Sequence, residues 1–522
     1  MKNFLSILCF FILVSNVSCK KDTKPSNEPV YETEINNTQL DEDATLYGLI
    51  TDEQGQPVRN VVVTDGFVSR ATDENGVYQI KRHKRAKFVS YSTPSDYKIS
   101  VDGENYPMYY EKLNSLDKKI RKDFVLKKGT FEDKFTLFCI GDPQCRNPQE
   151  VNRYKTETIV DINQTVPKYS NVYGITLGDI IFDTPELWGE MRTSMANQGI
   201  PFFQIIGNHD HLETAPNDEK AVEGYQAIFG PTDYSFNRGN VHFVCMDNVV
   251  YTGKQEYTGG FSANQWAWLQ EDLSFVPKDK MVVLVCHIPF RNGGSANHNT
   301  YRQEVINLLS TYAEAHIMVG HTHNNNNYIH QVGSKKVYEH VHGTACGAWW
   351  NSTVCADGTP NGYGIYEISG NKMENWVYKA TMYDESFQLR AYDAEYVFGP
   401  AGKLTYWFGY SANLNLAGDG WIVANVWNAD PDWTVSLYQN GVKVQDMQLI
   451  QSRDVWAAYY HLEVLNKALG STFDRKSDEH FYKGRLSGKV KDANFEIVAK
   501  DRFGNEYTTK TLTQGYDRMA FY

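Results

Sequence analysis

Cysteine is scarce in this sequence, and its scarcity excludes two classes of small scaffold. The 522 residues contain 8 cysteines and no Cys-x-x-Cys pair, so neither a zinc knuckle nor a disulfide-stapled framework is expected. Cys9 and Cys19 lie in the first 19 residues and leave six for the rest of the chain. Cys346 and Cys355 flank a short loop, where they can either pair or stay as free thiols.

Basic residues are fewer than acidic residues. Lys and Arg number 51 against 63 Asp and Glu, giving a formal net charge of −12. Binding to duplex nucleic acid depends on basic side chains that neutralise phosphates, so we expect no such partner. A small or membrane-bound phosphate ester stays compatible with this charge if a bound metal supplies the positive field.

Long apolar runs are absent beyond the amino terminus. Phe4 to Val14 is apolar but too short to cross a bilayer, and it follows a positively charged start, which is typical of a secretory signal. The segment ending at Cys19 resembles a bacterial lipoprotein cleavage site, although Asn16 stands where such sites carry Leu. We expect an exported protein, lipid-anchored at Cys19 to a bacterial membrane and facing the periplasm or the cell surface. Ordinary cleavage without an anchor is the alternative.

The length of the chain predicts several domains, because single cores stop growing near roughly 250–300 residues. Residues 20–44 are polar and predict a flexible tether after the signal peptide of residues 1–19. Short β-rich runs separated by turn signals predict all-β sandwiches over 45–128 and 384–522. Residues 129–383 alternate strands with helices and predict an α/β domain with a layered mixed β-sheet. The expected central strands are Phe135 to Ile140, Val172 to Leu177, Pro201 to Ile206, Val241 to Met246, Met281 to Cys286 and Ala315 to Val319.

Polar clusters follow five of these predicted central strands, where open α/β sheets place their ligand sites. Four of the five clusters begin with glycine, which suits a tight turn at the strand end. The clusters are Gly141-Asp142-Pro143-Gln144, Gly178-Asp179-Ile180-Ile181-Phe182-Asp183, Gly207-Asn208-His209-Asp210, Cys286-His287-Ile288-Pro289 and Gly320-His321-Thr322-His323.

In this order the clusters make residues 131–380 resemble the calcineurin-like metallophosphoesterase superfamily. The resemblance implies a phosphoesterase that hydrolyses a phosphate mono- or diester with a hydroxide bridging two metal ions. The metal ligands that it implies are Asp142, Gln144 and His323 for one metal, Asn208, His287 and His321 for the other, and Asp179 as the bridge.

The chemistry of these groups agrees with that implication. Two divalent cations lower the pKa of a shared water and clamp the phosphoryl oxygens, and a bridging carboxylate offsets their mutual repulsion. Oxygen and imidazole ligands suit Mn, Fe or Zn. The resemblance also implies that His209 protonates the departing oxygen, with Asp183 or Asp210 orienting its ring.

Several readings stay open at the level of the sequence. Gln144 replaces the His of most family members, as in some branches that cleave nucleotide diphosphate derivatives, so a nucleotide or sugar diphosphate pyrophosphohydrolase is one alternative. A surface glycan- or partner-binding protein with a degenerate hydrolase domain is another. His342, Trp349 and Trp350 predict either a substrate wall or aromatic core. The run 324–327, four asparagines, predicts a solvated loop. The sequence does not indicate an oligomeric state.

Overall fold

The structure is a computed structural model that describes residues 31–114, 118–196, 199–253, 256–291, 298–399, 406–410, 412–467 and 478–514. The signal peptide and Cys19 lie outside these residues, so export and lipidation stay predictions. No helix in the described ranges is long and apolar enough to cross a membrane. The six cysteines from Cys139 to Cys355 are buried free thiols.

The amino-terminal region consists of short strands in two four-stranded sheets and one hairpin. One sheet has the order β10-β3-β6 with β9 also paired to β3, and the other has the order β5-β4-β7-β8. The strands are β1 (Glu34–Ile35), β2 (Thr38–Gln39), β3 (Leu46–Asp52), β4 (Val62–Thr64), β5 (Ser69–Ala71), β6 (Val77–Ile80), β7 (Phe88–Tyr91), β8 (Tyr110–Lys112), β9 (Ile120–Arg121) and β10 (Phe124–Leu126).

The β1–β2 hairpin corrects the predicted extent of the tether. It lies within residues 20–44, and its Ile35 side chain is buried against Tyr47 and Val77 of the neighbouring sheet. An apolar contact of this kind orders a segment whose composition otherwise predicts disorder. The prediction of a tether reaching residue 44 is therefore too long.

The central region carries most of the parallel strand pairs and seven of the eight α-helices in the part of the chain that the structure describes. Its strands are β11 (Lys134–Ile140), β12 (Val172–Thr176), β13 (Phe202–Gln204), β14 (Tyr234–Arg238), β15 (Val241–Cys245), β16 (Val249–Gly253), β17 (Glu256–Gly260), β18 (Met281–Val285), β19 (His298–Thr300), β20 (Glu314–Val319), β21 (Asn326–Val332), β22 (Lys335–Val341), β23 (Gly362–Ser369) and β24 (Lys372–Ala380). Its helices are α1 (Pro148–Tyr154), α2 (Val160–Thr165), α3 (Trp188–Ala196), α4 (Asp218–Ala221), α5 (Glu223–Phe229), α6 (Ala263–Ser274) and α7 (Arg302–Leu309).

Two mixed sheets form the centre of this region. The first has the order β13-β12-β11-β23-β24 and is parallel across β13, β12 and β11. The second has the order β14-β15-β18-β20-β22-β21 and is parallel from β15 to β22. Buried side chains of both sheets, including Leu137, Ile175, Phe243 and Val283, share one apolar core. The two sheets are therefore packed face to face.

Helices cover the outer face of each sheet. Residues of α1, α3 and α5 pack on the first sheet around Phe138 and Ile140, and residues of α6 and α7 pack on the second around Val282 and Leu284. Trp268 of α6 is fully buried there. The layers are helix, sheet, sheet and helix, which confirms the predicted α/β class with a layered mixed sheet.

The carboxyl-terminal region contains two antiparallel four-stranded sheets, with orders β25-β26-β30-β29 and β28-β27-β31-β32. Ile422, Ala424, Leu437 and Ile497 contribute to an apolar core shared by both sheets, as expected of a sandwich. The elements are β25 (Arg390–Asp393), β26 (Trp421–Asn425), β27 (Thr434–Gln439), β28 (Val442–Asp446), β29 (Gln448–Ser452), α8 (Val455–Tyr459), β30 (Asp478–Arg485), β31 (Phe495–Lys500) and β32 (Glu506–Thr509).

All six predicted central strands are present, with ends that differ by one or two residues from the prediction. A capping box begins α6, because the Ser262 hydroxyl accepts from the Gln265 backbone while the Gln265 side chain accepts from the Ser262 backbone. The sequence pattern missed β14, β16, β17, β19 and β21 to β24, in several of which polar or charged residues separate the apolar positions. The boundaries of the predicted domains stay a prediction.

Candidate metal centre

The five polar clusters lie at one edge of the paired sheets. They begin one to three residues beyond the carboxyl ends of β11, β12, β13, β18 and β20, which run parallel within their own sheets. Parallel strands deliver their carboxyl ends to the same edge, so distant parts of the chain meet there. The hydrogen bonds described below show that these clusters contact one another.

Two glycines allow the loops to approach this closely. A side chain at Gly207 would place its Cβ 2.2 Å from the Asp179 backbone nitrogen and 2.3 Å from its carboxylate. Gly178 has a φ of +89, and a Cβ there would lie 2.6 Å from Nδ1 of His287. Neither distance is compatible with a side chain, so glycine is required where the clusters meet.

One group of acceptor atoms converges around the amide oxygen of Asn208. This oxygen lies 3.0 Å from Nε2 of His287 and 2.9 Å from Nδ1 of His321. The same His287 nitrogen is 3.3 Å from a carboxylate oxygen of Asp179. Nδ1 of His287 donates to the Leu177 carbonyl at 2.8 Å, which leaves Nε2 as the lone-pair nitrogen of the neutral ring. Lone pairs that face one another in this way fit a shared cation.

A second group lies on the other side of Asp179. Asp142, Asp179 and His323 offer ligand atoms that are all within 4.8 Å of one another. The Gln144 amide nitrogen donates to Asp179 at 2.8 Å, and its carbonyl oxygen is buried with no hydrogen-bond partner among the described residues. An orphaned buried oxygen beside two carboxylates fits a cation ligand, because leaving it unpaired costs about 1–3 kcal/mol. Both groups thus fit divalent metals, and Asp179 belongs to each.

The backbone of the ligand loops is strained. Asp142, Gln144, Asp179, His321 and His323 have φ values of 40, 45, 50, 73 and 57. Side chains other than glycine rarely adopt this region, at a cost of about 1–3 kcal/mol per residue, and such residues persist only where their surroundings hold them. Their concentration at one edge of the sheets indicates a functional site.

Burial and mutual repulsion dominate the electrostatics of the metal-free site. Burial raises the pKa of Asp142 to about 8, with the negative charge of Asp179 adding to the effect. Burial lowers the pKa of His287, but the Asp179 carboxylate outweighs it and raises the value to about 9. The pKa of Asp179 stays below its usual range, because His287 and His209 overcome the opposing effect of burial. Protons at Asp142 and His287 thus take the place of cations.

His209 lies beside this centre with a carboxylate partner. Its Nδ1 is 3.0 Å from both oxygens of Asp183, and the Phe182 ring stacks on it at 4.1 Å between centroids. Burial lowers the pKa of His209, yet Asp179 and Asp183 raise it to about 9. Asp210 points elsewhere and accepts from the backbone nitrogens of residues 180, 181 and 207. Of the two predicted partners Asp183 is the one in contact, and a catalytic role for Asp210 is corrected to support of the loop backbone.

Only one of the three predicted substrate contacts lies where substrate can reach it. Trp349 is half-buried and stacks on the His323 ring at 4.6 Å. His342 is 1% exposed and accepts from the Tyr366 hydroxyl at 2.8 Å, and Trp350 is 5% exposed and donates to the Pro143 carbonyl. The predictions for His342 and Trp350 are therefore corrected to core packing and support of the first cluster.

Two residues at the site escaped the sequence analysis. The Asn248 side-chain oxygen accepts from the backbone nitrogens of His287 and Ile288, at 3.0 and 2.9 Å, and so fixes the turn that carries His287. The Tyr257 ring meets His321 edge-on at 6.0 Å. Neither residue belongs to a motif, because both come from β-strand margins that only the tertiary structure brings to the site.

Three family models match the chain in succession. The model described as N terminal of calcineurin-like phosphoesterase matches residues 44–129, calcineurin-like phosphoesterase matches residues 135–325, and C terminal of calcineurin-like phosphoesterase matches residues 339–507. The chain belongs to the calcineurin-like metallophosphoesterase superfamily. Every predicted ligand lies within the central match, so the candidate metal centre lies in the part of the chain that matches the core phosphoesterase model.

Individual relatives are distant. A protein of Arcobacter nitrofigilis named "Probable glycerophosphodiester phosphodiesterase" is 23% identical over 183 residues, which are 34% of this chain and 65% of the relative's length. The NAD nucleotidase of Haemophilus influenzae is 14% identical with a TM-score of 0.28 over 48% of this chain and 49% of its own. The sulfate thiohydrolase of Thermus thermophilus is 11% identical with a TM-score of 0.28 over 47% and 56%. Structural matches this weak carry no argument about function.

Proposed function

We propose that this calcineurin-like phosphoesterase is a binuclear metal-dependent hydrolase of a phosphate mono- or diester. The observation that carries the proposal is the position of Asp179, whose carboxylate belongs to both groups of ligand atoms. Two neighbouring cations require one shared carboxylate with a separate set of ligands on each side. Here one set consists of Asn208 and two imidazoles, and the other of Asp142, Gln144 and His323.

The bound cations would supply Lewis acidity and a nucleophile at neutral pH. The chain supplies the remaining chemistry. Asp183 holds Nδ1 of His209, so the opposite ring nitrogen, Nε2, is the one that can give a proton to the departing oxygen. The carboxylates beside His209 raise its pKa above the ordinary value and so favour the protonated ring. Phe182 and Asp183 restrict the ring to one orientation.

For the substrate we propose a class of phosphate ester rather than one compound. The name of the Arcobacter nitrofigilis relative favours a diester, and the half-exposed Trp349 beside His323 offers an apolar surface for the leaving group. A substrate panel of aryl monoesters, aryl diesters, glycerophosphodiesters and nucleotide diphosphates separates the ester reading from the pyrophosphohydrolase alternative. Hydrolysis confined to nucleotide or sugar diphosphates would replace the ester proposal.

Metal content and one substitution test the centre itself. Purified protein should carry close to two Mn, Fe or Zn ions per chain by elemental analysis, and Asp179→Asn should lower kcat by about a thousandfold, because several kcal/mol of charge stabilisation depend on the bridge. Asp446→Asn, in an exposed pair of the carboxyl-terminal sandwich, is the matched control and should leave kcat unchanged. A wild-type protein with no bound metal and no phosphatase activity would favour the surface-binding alternative.

A further inference from the structure

The asparagine run 324–327 is buried, which corrects the prediction of a solvated loop. It directly follows the ligand His323, and its four members are between 3% and 9% exposed. Each of them makes a hydrogen bond to the carboxyl-terminal sandwich: the side-chain nitrogens of Asn324 and Asn326 to Asp478, that of Asn325 to the Trp427 carbonyl and that of Asn327 to the Asn428 carbonyl. The segment after the metal ligand is thus fixed by another part of the chain.

Asp478 makes the most direct of these contacts. One of its carboxylate oxygens accepts from Asn324 at 2.6 Å and the other accepts from Asn326 at 3.0 Å. The residue is 4% exposed and is the first of β30, so its backbone belongs to a sheet and cannot follow the loop. Hydrogen bonds to a charged acceptor are about twice as strong as neutral ones, and two of them from alternate residues fix the direction of the segment.

The neighbours of Asp478 in β30 make contacts that lead to two ligand loops. Glu479 pairs with Arg291, which lies shortly after the ligand His287, and His480 lies 3.2 Å from the Asp357 carboxylate. Asp357 in turn accepts from the backbone nitrogen of Asn325 at 2.9 Å. The first three residues of β30 therefore contact, directly or through Asp357, the segments that follow the clusters of His287 and of His321 and His323.

The strained ligand loop needs such support. His321 and His323 both have positive φ, a conformation that persists only where neighbouring contacts impose it. On the amino-terminal side the Asp142 carboxylate accepts from the His321 backbone nitrogen at 3.1 Å. On the carboxyl-terminal side the adjoining residues are Asn324 and Asn326, and Asp478 binds both.

We propose that Asp478 is a positioning residue of the metal centre: through Asn324 and Asn326 it holds the His321–His323 loop in the geometry that binds metal. The carboxyl-terminal sandwich then contributes a positioning residue to the phosphoesterase site. The inference rests on the proposed function only in requiring that the wild-type protein binds metal.

Asp478, Asp357 and His480 could themselves be read as a third cation site, since their ligand atoms lie within 4.8 Å of one another. Their hydrogen bonds argue against it. The Asp478 oxygens face amide N–H groups, and the Asp357 oxygens accept from the Thr359 hydroxyl at 2.7 Å and its backbone nitrogen at 3.0 Å. The carboxylate oxygens that would bind a cation thus already accept hydrogen bonds.

The experiment measures Mn²⁺ binding to the full chain rather than activity alone. Asp478→Ala should raise the Mn²⁺ dissociation constant by about ten- to a hundredfold, which is typical of losing a group that orients a metal ligand through hydrogen bonds. At saturating Mn²⁺, kcat should largely recover. Asp478→Asn keeps an acceptor, and its partners can turn their amides to meet it, so it should restore most of the affinity. Asp432→Asn is the matched control: it weakens the ion pairs with Lys336 and Arg502. Asp432 makes none of the hydrogen bonds to residues 324–327 described above, so this variant should bind Mn²⁺ as wild type does.

Thermal unfolding of each metal-free variant accompanies the titrations. If Asp478→Ala does not fold, Asn326→Ala, which removes one of the two bonds, replaces it and should still weaken Mn²⁺ binding. Wild-type Mn²⁺ affinity in a folded Asp478→Ala or Asn326→Ala protein overturns the proposal, as does loss of a third ion with the other two retained. A wild-type protein that binds no metal refutes the proposed function instead, so the two failures are distinct.

Discussion

The side-chain nitrogen of Gln144 donates to the Asp179 carboxylate at 2.8 Å and thereby turns the Gln144 carbonyl oxygen into a buried position without a hydrogen-bond partner in the described structure. The hydrogen bond orients the amide, because only the nitrogen can donate to a carboxylate. Gln144 belongs to the same loop as Asp142, which offers a ligand atom together with Asp179 and His323. A neutral amide can occupy a ligand position there without adding charge.

Gln144→Ala should reduce the bound metal from about two ions to about one per chain, because only the group of Asp142 and His323 loses an atom. Gln144→His should restore the second ion, since imidazole is a good ligand for the same metals. Elemental analysis after gel filtration measures both. Two ions retained in the alanine variant would show that Gln144 is not a ligand.

The fall of kcat at alkaline pH, the alkaline limb of its pH profile, should follow the deprotonation of His209. A general acid must be protonated, so kcat should fall as the pH rises through the pKa of His209, which the nearby carboxylates hold above its ordinary value. Asp183→Asn removes one of these carboxylates and should move the limb to lower pH. His209→Gln should lower kcat by about 10²- to 10⁴-fold and abolish the limb.

Asp210→Asn is the matched control for Asp183→Asn. Asp210 accepts backbone N–H groups and does not face the His209 ring, so its substitution should lower the thermal stability without shifting the limb. A limb that moves in Asp210→Asn and stays in place in Asp183→Asn would reverse these assignments.

Metal binding should release protons near neutral pH. In the metal-free protein burial raises the pKa of Asp142 to about 8, so its carboxyl group is mostly protonated at pH 7 and must ionise before it can bind a cation. His287, whose pKa is raised to about 9, must also lose a proton. Apparent Mn²⁺ affinity should therefore rise with pH through neutrality and level off only above about pH 9. Calorimetry in buffers of different ionisation enthalpy counts the protons, and a pH-independent affinity would contradict the raised pKa.

Replacing Trp349 and replacing Trp350 by alanine should have different effects on KM and on stability. Trp349→Ala removes a half-buried ring stacked on His323 and should raise KM for aryl esters with little loss of stability. Trp350→Ala removes a buried ring that donates to Pro143, and it should lower the free energy of unfolding by about 3–5 kcal/mol. Thermal unfolding and steady-state kinetics on both variants test the contrast; a KM that rises in Trp350→Ala alone would place the substrate elsewhere.

Sequence pattern was sufficient for the strands that carry the site, since the runs before Asp142, Asp179, Asn208, His287 and His321 are apolar, short and ended by polar residues. It was insufficient for the strands β21 to β24, where charged and apolar residues mix. It also misjudged Asn324 and its three neighbours, because a polar run predicts solvent exposure unless the partner that satisfies its hydrogen bonds is known.

By itself the sequence determined the family resemblance, the order of the five clusters and the residue types that can bind metal, because strand periodicity and ligand chemistry are local properties. The tertiary structure alone decided which carboxylate serves His209, which tryptophan is exposed and that Asp478 contacts the segment after His323. Those choices depend on distances between residues far apart in the chain, and such distances are fixed only when the sheets and the carboxyl-terminal sandwich pack together.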